Sequence, residues 1–118
     1  MRHRSPVVAG WVVAGCLLAG FAAAACRGGD ESTDAGLYRR HCARCHGLDG
    51  AGNPRAVGRQ PGLDLTRPEV LAEGRDEIRR RIVEGEGTMP AFGEKLTREQ
   101  IDRLVALTEH LAAGGEIP

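Results

Sequence analysis

The clearest periodicity lies at the C-terminal end, where Ile101, Leu104, Val105, Thr108, Leu111 and Ala112 recur at the three- and four-residue steps that share one helix face. Thr97 and Gln100 stand ahead of it at the spacing of a capping box, and Gly114 follows as its stop. A second amphipathic run starts near Arg75. It turns Ile78, Ile82 and Val83 inward, sets Asp76 and Glu77 in the first turn where the helix dipole favours negative charge, and ends at "EGEGTMPAFG". Thr66 and Glu69 predict another capping box before a short helix that closes at Gly74. Towards the N-terminus, Leu37, Tyr38, His41, Cys42 and Cys45 fall at helical spacing, which predicts a helix from Thr33 or Asp34 running straight into the cysteines. No segment alternates as a strand would, and no internal repeat is present, so the pattern predicts an all-α fold of three to four helices.

The stretch from Gly47 to Gly62, "GLDGAGNPRAVGRQPG", holds five glycines and two prolines in sixteen residues and predicts a long loop, ordered or disordered. In so small a domain a loop of this length usually wraps something. Tyr38 and Phe92 are the only aromatic residues after the first 25 positions, since Trp11 and Phe21 precede them. A domain of about 85 residues with so few large side chains is marginal on burial alone and commonly needs a disulfide, a metal or a cofactor to complete its core.

The N-terminus has a different character. Arg2, His3 and Arg4 precede an uncharged apolar run from Pro6 to Ala25, the pattern of an export signal over residues 1–25. "FAAAAC" sets small residues before Cys26, and "RGGDESTDAG" after it predicts a flexible tether over residues 26–33, leading to a domain at 34–118. This resembles the lipobox of bacterial lipoproteins, in which cleavage leaves the cysteine as a lipid-modified N-terminus. "VAGC" at Cys16 matches the lipobox pattern more closely, but cleavage there would strand "LLAGFAAAA" in the mature chain, so Cys26 is preferred. An uncleaved anchor is the alternative, because the run approaches the ~20 residues a bilayer requires. Each reading places the domain outside the cytoplasm, on the periplasmic side, at a membrane surface. The chain has sixteen basic and sixteen acidic residues; Arg2 and Arg4 leave with the signal while every acid follows Cys26, so the remainder is slightly acidic. That argues against a nucleic-acid partner.

The chemistry concentrates in "RRHCARCHG", Arg39 to Gly47. Cys42 and Cys45 lie one helical turn apart, so both sulfurs face one side, and His46 follows directly; C-x-x-C-H reads as covalent attachment of a c-type haem. A structural zinc site needs four ligands, and beyond the motif the chain left after the signal offers only His41, His110 and Cys26. A thioredoxin-like disulfide expects a βαβ setting that the helical pattern does not supply. Met89 is the only methionine after the signal, and it sits in the loop "GTMPAFG" rather than on an apolar helix face. Its position, with Pro90 holding the local chain extended, makes it the candidate second axial ligand beside His46.

In these motifs, and in their order "GLYRRHCARCHG", glycine-rich loop, "QPGLDL", "IRRRIVEGEGTMPAFGEKLTREQIDRLVAL", the chain resembles the class I c-type cytochromes, particularly small bacterial monohaem ones, over about Asp34 to Gly114. The resemblance implies a small cytochrome c fold of three to four helices wrapped around one covalently attached haem c. It implies thioether bonds at Cys42 and Cys45, with His46 as proximal and Met89 as distal ligand of the iron. It also implies that the Pro61 carbonyl accepts the second imidazole N–H of His46. One departure is visible: where the family's terminal helix commonly carries an aromatic residue, crossing the first helix near a glycine such as Gly36, this chain has Leu107.

The expected function is one-electron transfer between redox protein partners through an exposed haem edge. His/Met ligation and burial among Leu63, Leu65, Ile82 and Phe92 would raise the potential. Neither catalysis nor a small-molecule substrate is expected; the alternative, a haem-based gas sensor or enzyme, needs an open or labile distal site. Arg79, Arg80 and Arg81 are read as a solvated face, His41 and His110 as surface histidines, and Arg55 or Arg59 as the candidates to contact the haem propionates.

Overall fold

Thr97 caps the last helix as its sequence predicts: its hydroxyl accepts the Gln100 N–H at 3.2 Å, and the Gln100 side chain accepts the Thr97 N–H at 2.9 Å. In this computed structural model residues 30–118 are described; the expected signal and Cys26 lie outside them. The chain forms α1 (Asp34–His41), α2 (Ala43–His46), α3 (Pro54–Val57), a 3₁₀ turn (Pro61–Leu63), α4 (Glu69–Glu73), α5 (Arg75–Glu84) and α6 (Arg98–Ala112). Among the described residues there is no strand, only an isolated bridge between Glu86 and Met89, and no helix is long and apolar enough to cross a membrane.

α6 packs against α1, α4 and α5. Its apolar stripe meets Leu37 and Tyr38 of α1, Ile78 and Ile82 of α5, and the loop residues Phe92 and Leu96 in one core. Leu107 is buried in that core, whereas the space Gly36 leaves is taken by the backbone of Asp30, which a Cβ at Gly36 would strike.

Several local expectations are corrected. The four expected helices are present as α1, α4, α5 and α6, and two further one-turn helices lie in the motif and in the glycine-rich loop, which is ordered. The first helix stops at His41, and Cys42, at φ −116°, turns the chain before α2 begins. The Thr66/Glu69 capping box does not form: the Asp64 carboxylate accepts both the N–H and the hydroxyl of Thr66, at 2.9 and 2.6 Å, and Pro68 takes the position before α4. A short polar side chain can capture a neighbouring backbone group in this way and remove it from the helix. Nor is the tether free up to residue 33. Asp30 accepts the N–H and hydroxyl of Ser32, and Arg103 of α6 reaches Asp34 and the carbonyls of Glu31 and Ser32 at 2.6 to 3.3 Å. The folded unit therefore includes Asp30.

Candidate functional site

α2 carries His46 inward at its last position, where it is buried. Its Nδ1 lies 2.9 Å from the Leu63 carbonyl, and since a carbonyl only accepts, Nδ1 carries the proton and Nε2 keeps a lone pair. Burial lowers the His46 pKa, against the opposing pull of the Leu63 bond, so the imidazole is neutral at pH 7. The acceptor is thus Leu63 and not Pro61. In the 3₁₀ turn the Pro61 carbonyl is occupied by the Asp64 N–H at 3.1 Å, and the chain needs two further residues before a carbonyl points at the ring. Pro61 does line the cavity described below.

The glycine-rich loop fastens this arrangement. The Gly52 N–H donates to the His46 carbonyl at 2.7 Å, and the Leu65 N–H donates to Gly50 at 2.8 Å. Gly52 sits at φ +70°, and a Cβ there would stand 3.0 Å from the Leu63 oxygen. Only glycine lets the loop run this close to the carbonyl that orients His46.

Cys42 and Cys45 are free thiols, the first half-buried and the second exposed. Burial, with Cys45 beside it, pushes the Cys42 thiol up to about 12. A redox nucleophile needs the opposite, a stabilised thiolate. Among the described residues no group of three or more His, Cys, Asp or Glu side chains is arranged to hold a metal ion.

Met89 closes a tight turn after α5. Its backbone N–H donates to Glu86 at 2.9 Å, the Glu86 N–H returns to Met89 at 3.2 Å, and Phe92 and Gly93 donate to Ile82 and Val83 at 3.0 Å each. These bonds hold the Met89 segment along the end of α5 and half-bury its thioether.

Two adjoining cavities, about 210 and 380 Å³, share Cys42, His46, Gly62, Arg81 and Met89 in their walls. The first is closed by Tyr38, Leu65, Ile82 and Leu104, the second by His41, Cys45, Leu63 and Phe92. Two thiols, an imidazole with a free lone pair and a thioether converge on apolar walls, and the space is of the size of pockets for cofactors, roughly 300–1,000 Å³. The residues present fit a covalently held haem.

Other expectations shift. Arg55 and Arg59 are exposed and line neither cavity; the cations on the walls are Arg67 and Arg81. His41 is half-buried and not a plain surface residue: its Nε2–H donates to the Glu31 carboxylate at 3.0 Å, and it meets Phe92 edge-on at 5.9 Å and lines the second cavity. His110 is exposed and away from both. Arg79, Arg80 and Arg81 are all engaged in ion pairs. Sequence reasoning named Leu63 for its side chain but missed its carbonyl as the partner of His46, and missed Arg67, which carries no distinguishing pattern.

Residues 30–107 match the family model described as cytochrome c oxidase, cbb3-type, subunit III. Among curated proteins, the chain is 33% identical over 90 residues to cytochrome c6 of Aphanizomenon flos-aquae, an alignment covering 73% of this chain and 95% of that protein. It is 32% identical over 79 residues to cytochrome c6 of Rippkaea orientalis, covering 64% and 66%. With cytochrome c6 of Gloeothece citriformis it shares 31% over 74 residues, covering 63% and 64%.

Proposed function

Because the chain belongs to the family of monohaem c-type cytochromes, with one covalent haem c, we propose that it carries single electrons between redox protein partners outside the cytoplasm. The observation that carries this reading is the convergence of Cys42, His46 and Met89 on the same two cavities. When bound, the haem supplies a one-electron ferric/ferrous couple. Cys42 and Cys45 would hold it by thioether bonds, and His46 and Met89 would supply the two protein donors to the iron. The Leu63 carbonyl fixes the ring of His46 and raises its basicity. Leu63, Leu65, Ile82 and Phe92 exclude water and disfavour the additional charge of the ferric state, which raises the potential together with the neutral thioether. Arg67 and Arg81, the arginines on the cavity walls, would be the residues to offer the propionate carboxylates a counter-charge.

The test is the visible spectrum of the ferric holoprotein with a reductive titration. A weak far-red band from methionine sulfur on ferric haem, and a reversible one-electron course, are expected. A high-spin spectrum without the band would overturn the carrier reading in favour of a sensor or enzyme with an open distal site.

The same proposal includes anchoring at the periplasmic face of a membrane through a lipid on Cys26, which "FAAAAC" and the polar stretch after it support. Intact mass of membrane-extracted protein is expected to show a chain beginning at Cys26 with added acyl mass; a mass retaining residues 1–25 rules the lipid out.

A further inference from the structure

We propose that Glu86 is a positioning residue that sets how firmly the Met89 turn closes over the cavity, an inference that rests on the axial role proposed for Met89. Glu86 and Met89 are the facing pair of an antiparallel bridge, joined by both of their backbone hydrogen bonds. Displacing one therefore displaces the other. Behind them Gly85, at φ +75°, admits the Met89 carbonyl so closely that a Cβ would stand 2.5 Å from it, which seats the turn against the end of α5.

The Glu86 carboxylate reaches back onto α5 with both oxygens. Oε1 lies 3.1 Å from Nη2 of Arg80, and Oε2 lies 3.1 Å from Nε of Arg81. Neither guanidinium is free to follow the turn outward. Arg80 is also held by Glu77 at 2.6 and 2.9 Å and by Glu84 at 3.4 Å, and Arg81 by Glu73 at 2.9 Å and Glu77 at 3.1 Å. The Arg80 guanidinium, with Arg81 beside it, holds the Glu77 carboxyl down at about 2, so this scaffold stays charged throughout the neutral range. Among the described residues Gly87 and Thr88 make no hydrogen bond, so the tip of the turn is tied to the helix through the side chain of Glu86. A single exposed ion pair contributes little, but a carboxylate shared between two guanidiniums that are themselves fixed belongs to a network.

The experiment titrates the ferric holoprotein with imidazole, which competes with a thioether for an axial position, and follows the loss of the far-red band. Glu86→Gln keeps the shape and removes the charge; it is expected to bind imidazole about three- to tenfold more tightly than the wild type. Arg80→Gln, outside the cavity walls, leaves the Arg81 contact of Glu86 and is expected to raise the affinity in the same direction, and the double variant to fall short of the sum of the two, because the Glu86–Arg80 pair is lost in either. Imidazole affinity within twofold of wild type in both variants overturns the proposal, and so does additivity in the double variant, which would assign the effect to charge at each site. A wild type lacking the far-red band overturns the axial role of Met89 and this inference with it, whereas a normal band with unmoved affinities sinks the Glu86 tie alone.

Discussion

Met89→Ala will abolish the far-red band, turn the ferric protein high-spin and lower its reduction potential by more than about 0.1 V, within the span of about 0.8 V that axial ligands command. The reasoning is local. Met89 is the one thioether on the cavity walls, and the second cavity offers no other uncommitted strong donor: His41 is engaged by Glu31. Removing the sulfur leaves a position open to water, which stabilises the ferric state relative to a soft neutral ligand. Absorption spectra and a potentiometric titration of wild type and variant check both parts together. A variant that keeps its band would require a different distal donor and would set aside the assignment of Met89.

The second large effect concerns the fold. Cys42→Ser with Cys45→Ser is expected to yield a chain without covalent haem that lacks a cooperative thermal transition by circular dichroism. The core explains why. Tyr38 and Phe92 are its only aromatic residues, and the walls that α1, α5 and α6 present to one another enclose apolar space instead of filling it. Without the haem that apolar lining faces water, and the burial it would contribute to a small domain is lost. A double variant that melts cooperatively near the wild-type temperature would show that the helices close without the cofactor.

What was legible in the sequence is what linear spacing can express. The α6 stripe and its capping box, the Thr33 start of α1, and the inward pair Ile78 and Ile82 are repeats or signals within a few residues, and each is present in the structure. The C-x-x-C-H run and the lone Met89 mark residues that the fold brings to one cavity although they lie far apart along the chain. The failures involve competition or backbone. Asp64 outcompetes the predicted cap at Thr66, a contest between two neighbouring polar groups that composition cannot decide. The acceptor for His46 is a carbonyl whose direction depends on how tightly the Pro61–Leu63 turn winds, and every residue carries a carbonyl. The break at Cys42 depends on a dihedral angle that no residue type at that position demands. Arg67 and Arg81 differ from Arg55 and Arg59 only in where the folded chain carries them.

Under the proposed anchoring, the turn at Asp30 would shorten the leash on the whole domain. Arg103 clamps Glu31, Ser32 and Asp34 to α6, so under the proposed anchoring only the residues from Cys26 to Gly29 can separate the lipid from the globule. Four residues drawn fully straight reach about 14 Å. A partner embedded in the same bilayer would then meet this protein by lateral diffusion and by pivoting in place, while a partner far out in the periplasm would have to come to it.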